Sequence, residues 1–262
     1  MPSVVLHIPH SSVEVPPDLR GQLCLSDEEL RRELLRMTDW YTDELFYLPE
    51  EVAQQIRYPV SRLVLDPERF LDDELETMAP KGMGVIYTKT AEGTPLRKAP
   101  AAGERESLID RYYRPHHNAL ADAVDAALRR HGRCLIIDCH SFPALPLPYE
   151  EDQSLERPEI CIGTDACHTP AWLTALGRWA FEKAGFTVAI DRPFSGALVP
   201  ERHYRKAKAV HSIMIEIRRD LYMDEDSGRK TSDFEPFVSR CRSVLGHLAK
   251  GWHLGDNSLG VE

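Results

Sequence analysis

Four residues carry the chemistry this sequence offers. His10 and His140 each follow a short apolar run, in Val-Val-Leu-His-Ile-Pro-His10 and in Cys-Leu-Ile-Ile-Asp138-Cys-His140-Ser-Phe-Pro143. Asp39 opens the polar stretch Thr38-Asp-Trp-Tyr-Thr-Asp43, and Glu216 lies inside the apolar run Ile213-Met-Ile-Glu-Ile217. Two histidines and a carboxylate form a common catalytic zinc set that leaves a fourth position for water. A Glu beside that water can act as general base. A carboxylate within an apolar strand is costly to ionise unless paired, and a metal-bound water or Arg218 would supply the partner. Asp43 and Glu14 stand as alternatives to Asp39 for the third ligand. Arg62, Arg69 and Arg218 flank apolar runs, and their fork-shaped guanidinium groups suit a substrate carboxylate. Ser141 and Gly196 are candidates for further substrate contacts.

Each of these residues also has a plainer reading. Asp138 and His140 can be the polar end of a strand, hydrogen-bonded to a loop. Asp39 can be an acidic residue favoured in a helix's first turn. An internal bridge between Arg62 and Asp66 can occupy both groups, and His116 and His117 fit satisfied structural histidines. Glu216 can meet only Arg218, although residues two apart on a strand share a face without touching.

The elements that must hold these residues alternate. Strands are expected at 3–8, 63–65, 85–88, 133–138, 159–163, 187–190 and 211–218. Helices are expected at 26–36, from 38 or 39 to 47, 108–130, 170–184 and from 232 or 233 to 250, with the tail to Glu262 fraying. Ser26 with Glu29 makes a capping box, and Gly132 suits the residue just past a helix end. Residues 72–103, rich in Pro and Gly, read as an active-site lid. This alternation predicts one α/β domain over residues 1–262. It is a three-layer arrangement with a mixed, mostly parallel sheet and helices on both faces.

Composition narrows the function. Of the 262 residues, 42% are hydrophobic and 28% charged, as in an ordinary soluble domain. The net charge of −10 argues against nucleic acid as partner. No apolar run reaches the roughly 20 residues a membrane span needs, and the amino terminus does not read as a signal peptide. Six cysteines without a CxxC pair fit reduced thiols in a cytoplasmic protein. The nucleophile elbow of serine hydrolases, G-x-S-x-G, is absent. Nothing here sets the oligomeric state.

Six ordered blocks together resemble the N-formylglutamate amidohydrolase family. They are Val-Val-Leu-His-Ile-Pro-His10-Ser-Ser, Thr38-Asp-Trp-Tyr-Thr-Asp-Glu-Leu-Phe, Ser61-Arg-Leu-Val-Leu-Asp-Pro-Glu-Arg69, Tyr112-Tyr-Arg-Pro-His-His, Asp138-Cys-His-Ser-Phe and Ile215-Glu-Ile-Arg-Arg-Asp-Leu-Tyr. The resemblance implies a hydrolase-like fold similar to zinc carboxypeptidases and aspartoacylases. It implies hydrolysis of a linear amide C–N bond on a small acidic N-acyl amino acid, with one zinc ion as cofactor. It puts His10 and His140 among the zinc ligands with Asp39 as third, Glu216 as base, and Arg62, Arg69 and Arg218 on substrate carboxylates. Ser12 and Glu68 stand where the family usually has Gly and Asn. A peptide- or cell-wall-cleaving zinc enzyme and a non-catalytic binding homologue are the competing expectations.

Overall fold

The computed structural model describes residues 2–258, so the end of the tail at Glu262 lies outside the described residues. Six strands form one sheet in the order β2-β1-β3-β6-β4-β5. They are β1 (Val4–Ile8), β2 (Ala53–Arg57), β3 (Cys134–Phe142), β4 (Ile160–Gly163), β5 (Val188–Ile190) and β6 (Val210–Arg218). Every pairing is parallel except β4 against β6. The expected mixed, mostly parallel sheet is what forms.

The period of two along each strand decides what each face carries. Leu135, Ile137 and Cys139 of β3 join Ile213, Ile215 and Ile217 of β6 in the main core, with Val4, Leu6 and Ile8 of β1. The helices Ala171–Lys183 and Phe234–Ser258 cover that face, through Leu173, Phe181, Val238, Leu245 and Trp252 among others. On the opposite face Val5, Cys134, Ile136 and Val210 pack against Leu120, Val124 and Ala127 of the helix Arg114–His131. The same face continues along β3 to Asp138 and His140, along β6 to Glu216, and along β1 to His7. Alternation therefore delivers His7, Asp138, His140 and Glu216 to one face toward the carboxyl ends of the strands, where open α/β sheets place their sites.

Four local expectations are corrected. Residues 63–65 and 85–87 are fully or nearly buried and Thr88 half-buried, but both stretches form turns, bends and irregular chain, not strands. Their backbone groups find partners outside a sheet: the Val64 amide donates to the Ser61 carbonyl, the Thr88 amide to the Gly82 carbonyl, and the Val85 carbonyl accepts from the Asp66 amide, each at 2.8 Å. A buried apolar run needs partners for its backbone, not a sheet as such. Second, no helix starts at residue 38 or 39. Thr38 ends the helix Asp27–Met37, Tyr41 is left-handed with φ 61°, and only Thr42–Leu45 is helical. Third, the helix expected over 108–130 comes in three pieces: Ala102–Leu108, a π-helical turn at Ile109–Tyr113, and Arg114–His131, with Pro115 in the first turn of the last. Fourth, residues 72–103 are no free lid, because Met83, Tyr87, Ala91 and Leu96 are built into a core cluster with Leu63 and Met37. No helix among the described residues is long and apolar enough to cross a membrane.

Candidate active site

His10 lies two residues past β1, where Pro9 stops the ladder. Its carbonyl accepts from the Asp39 amide at 3.0 Å. That bond fixes the bend after Met37 against the end of β1, so Asp39 reaches the site from a loop and not from a helix start. His140 belongs to β3 itself, opposite Glu216 of β6 in the pairing register. His10, Asp39 and His140 are all at least 97% buried.

Their side chains converge on one oxygen. Asp39 Oδ2 lies 3.1 Å from His140 Nδ1 and 3.6 Å from His10 Nδ1. The remaining polar atoms are committed elsewhere. Asp39 Oδ1 accepts from Arg219 Nη2 at 2.9 Å. His10 Nε2 meets Asp66 Oδ1 at 2.9 Å, and His140 Nε2 meets Asp138 Oδ1 at 3.1 Å and Glu68 Oε2 at 3.2 Å. Each histidine thus has its outer nitrogen on a carboxylate and its inner nitrogen facing Asp39, the arrangement that orients imidazole toward a metal. His10 Nδ1 is buried without a hydrogen-bond partner. These three residues, and separately His7, Glu68 and Asp138, are spaced as metal ligands are. The donor set of two imidazoles and one carboxylate fits a divalent metal of the zinc type.

The electrostatics favour a cation there. Burial works against charge on His140, yet Glu68, Asp138 and Asp39 hold its pKa well above the usual imidazole range. Burial likewise opposes the ionised form of Asp39, but the His10 ring nearby, the hydrogen bond with His140 and the charge of Arg219 keep it low. Four carboxylates thus crowd two histidines, and positive charge on the rings is the field's response. Glu216 differs. Burial pushes it up to about 8, with Asp39 and Glu68 adding to the rise while His140 and Arg219 oppose it. Its Oε2 is buried without a hydrogen-bond partner.

The arginines separate by how fully they are engaged. Arg62 binds Asp66 Oδ2 through Nε and Nη2, at 3.2 and 2.8 Å. Tyr87 donates to the same oxygen. Arg69 has its nearest carboxylates at 3.7 Å (Asp66) and 3.9 Å (Glu76), and its Nε has no hydrogen-bond partner. Arg218 turns to Asp220 at 2.7 Å and to the Arg157 carbonyl. The guanidinium beside Asp39 belongs to Arg219, carried inward by the 3-10 turn Arg219–Leu221. Ser141 is engaged with it: its Oγ accepts from Arg219 Nε at 3.1 Å, and its carbonyl accepts from Nη2 at 3.0 Å. Gly196, at φ 97°, sits in the loop over β4, where a Cβ on Gly163 would collide with its carbonyl. Leu198 of the same loop donates its amide to Asp138 Oδ2 at 3.1 Å. Of the alternative ligands, Asp43 pairs with Arg57 at 2.6 Å and Glu14 is exposed. Spacing alone does not assign Asp66, Arg219 or Glu68 to the site, and their one sequence cue is their place beside Arg62, Arg69 and Arg218.

A buried group of two histidines and one carboxylate at the carboxyl ends of a mixed α/β sheet, with Glu216 beside it, makes a candidate metal site. A sequence profile of the N-formylglutamate amidohydrolase family matches residues 2–223, and the chain belongs to that family. It is similar to the N-formylglutamate deformylase of Pseudomonas putida, 27% identical over 243 residues that span 90% of this chain and 85% of that one. The N-formylglutamate deformylase of Pseudomonas aeruginosa is also 27% identical, over 86% of this chain and 83% of that one. The fold resembles the crystal structure of N-formylglutamate amidohydrolase from Ralstonia eutropha, with TM-score 0.82, 24% identity and coverage of 97% and 95%.

Proposed function

We propose that this chain is a zinc-dependent amidohydrolase. It cleaves the amide of a small N-acylated acidic amino acid, and N-formylglutamate is the leading substrate. The observation that carries this reading is the convergence of His10 Nδ1 and His140 Nδ1 on Asp39 Oδ2, with every other polar atom of the three residues held from outside. His10, Asp39 and His140 would hold the ion. When bound, zinc supplies Lewis acidity toward the substrate carbonyl and the attacking water.

The chain's own groups do the rest. Arg219 and Ser141 keep Asp39 in one orientation, and Asp66 and Asp138 keep the two rings in theirs. Glu216 takes a proton from the attacking water at its unpartnered Oε2 and returns it to the leaving nitrogen as the C–N bond breaks, giving formate and the free amine. Arg69 has the unused donors and is 22% exposed, so it binds the substrate carboxylate. Arg62 supports it from the engaged position on Asp66. The six cysteines are all free, which fits a cytoplasmic enzyme.

The test is metal analysis of the purified protein, followed by a screen of N-formyl and N-acetyl amino acids. Near-stoichiometric zinc and release of formate from N-formylglutamate are expected. Removing zinc with a chelator should abolish turnover, and adding zinc back should restore it. A zinc-free protein, or a zinc protein inert toward every N-acyl amino acid, would overturn the reading. The Arg69→Lys variant should raise KM for N-formylglutamate about 10-fold or more, because a point charge cannot replace the bidentate fork. Arg218→Lys should leave KM near wild type. If Arg62→Lys and Arg69→Lys both keep their KM, the carboxylate binds elsewhere.

A further inference from the structure

A buried chain of hydrogen bonds leads away from His140, and none of the chemistry above uses its far end. His140 Nε2 meets Asp138 Oδ1 at 3.1 Å. The same oxygen meets His7 Nδ1 at 2.8 Å, and His7 Nε2 meets His116 Nε2 at 2.8 Å. All four residues are at most 5% exposed. The parallel register of β1 and β3 sets His7 directly beside Asp138. His116 comes from the first turn of the helix Arg114–His131, its ring edge-on to Tyr58 at 5.0 Å.

Hydrogen-bond bookkeeping fixes the direction of this chain. Asp138 is acceptor-only when ionised, and both of its oxygens are in use, Oδ2 by the Leu198 amide. His7 Nδ1 and His140 Nε2 must then both carry hydrogens toward Oδ1. With its outer nitrogen turned to Asp138, His140 has only Nδ1 left to face Asp39, 3.1 Å from Oδ2. Burial pushes His116 down to about 2, and His7 Nε2 and His116 Nε2 share one hydrogen across 2.8 Å. Every donor in the chain is then used once. A polar pair buried this deeply needs a return for its desolvation.

The geometry points to His7 and His116 as positioning residues. They hold Asp138 in the one orientation that turns the His140 Nδ1 lone pair toward Asp39 and makes it available to a cation. This rests on the metal reading of His10, Asp39 and His140 given above. Outer partners of metal-bound histidines typically change metal affinity by 10–100-fold, and here that outer partner is itself supported from behind. His7 Nδ1 also belongs to the group formed with Glu68 and Asp138. At 2.8 Å from Asp138 it makes a hydrogen bond, and Glu68 is farther away at 3.6 Å.

The experiment is zinc titration of chelator-stripped protein against a competing metal indicator, with thermal unfolding of each metal-free variant as a check on folding. His7→Phe removes the hydrogen bond to Asp138 and should lower zinc affinity about 10–100-fold. His7→Asn keeps an N–H near the Nδ1 position and should recover much of that loss. His116→Phe should also weaken binding, and His116→Gln should restore it by offering an N–H to His7. The His116 variants alter only the last link, so they carry the test if His7→Phe does not fold. A folded His7→Phe or His116→Phe protein with wild-type zinc affinity overturns the proposal. So does a wild type that binds two zinc ions where His7→Phe binds one, since His7 would then be a ligand. Failure of the underlying reading looks different: wild type would bind no zinc, or His10→Ala would bind it as well as wild type does.

Discussion

The Glu216→Gln variant should keep its zinc and its affinity for substrate and lose about 100-fold or more in kcat, the usual scale for a positioned acid–base group. The substitution preserves shape and removes only the ability to carry a proton between water and the leaving nitrogen. The expectation rests on environment. Glu216 lies on a strand whose neighbours are buried, opposite His140 in register, with Oε2 unpartnered. A carboxylate placed there for stability alone would be bonded. Burial also carries a thermodynamic signature in the metal-free protein. A pKa near 8 folded, against about 4.3 for a free Glu, means the folded state holds the proton more tightly. The contribution of Glu216 to stability is therefore greatest at low pH and declines as pH rises through that window. Unfolding of metal-free wild type and Glu216→Gln at several pH values checks this: the variant should lack that part of the slope. A Gln variant with near-normal turnover would rule out the base role, and one that loses zinc would make Glu216 a ligand.

His140→Ala and His10→Ala should each strip the metal and with it the activity. The loss should exceed the 10–100-fold typical of outer-shell changes, because each removes a donor in direct reach of Asp39 Oδ2. Metal content of the folded fraction is the readout. His140→Ala also takes one partner from the buried carboxylates Asp138 and Asp39, which keep His7 and Arg219, and removing one partner of a buried pair typically costs up to about 3–5 kcal/mol. That variant should therefore unfold at lower temperature than wild type, whereas His10→Ala, whose partner Asp66 keeps Arg62 and Tyr87, should lose less. Zinc retention at the wild-type level in both would sink the ligand assignment. Asp39→Ala with full metal content would move the third ligand to another carboxylate, and Glu68 is nearest, 3.9 Å from His10 Nδ1.

The strands that carry the site were legible because their apolar runs are strong and their polar breaks abrupt. Leu135 to Ile137 is followed at once by Asp138 and His140, and Glu216 interrupts a run of Ile and Met. The supports were not legible, because their partners lie far away in sequence: His10 with Asp66, Asp39 with Arg219, His7 with His116. Spacing within one strand cannot report a contact across 180 residues. Arg218 and Arg219 show the limit most sharply. A period of two puts Arg218 on the face of Glu216, but the chain leaves the sheet at that residue, and the 3-10 turn sends Arg219 to Asp39 instead. The segments 63–65 and 85–88 show the opposite limit, since burial is readable from composition while the route of the backbone through a buried region is not.

The bond between Arg219 and Asp39 has a consequence for how the protein is made. The residues that converge on Asp39 begin at position 10 and end at position 219, and β3 acquires its neighbour β6 only after 210 residues have been synthesised. At about 5–20 residues per second, chain growth separates the first of them from the last by on the order of 10–40 s. Over the last part of that interval, about 4–16 s from the addition of His140, His10, Asp39 and His140 are all in the nascent chain while Arg219 is still to be added. On the zinc reading proposed above, high-affinity metal loading waits for the last strand. A ribosome-bound chain halted before β6 should take up zinc poorly, and one long enough to expose residue 219 with the helix behind it should take it up well.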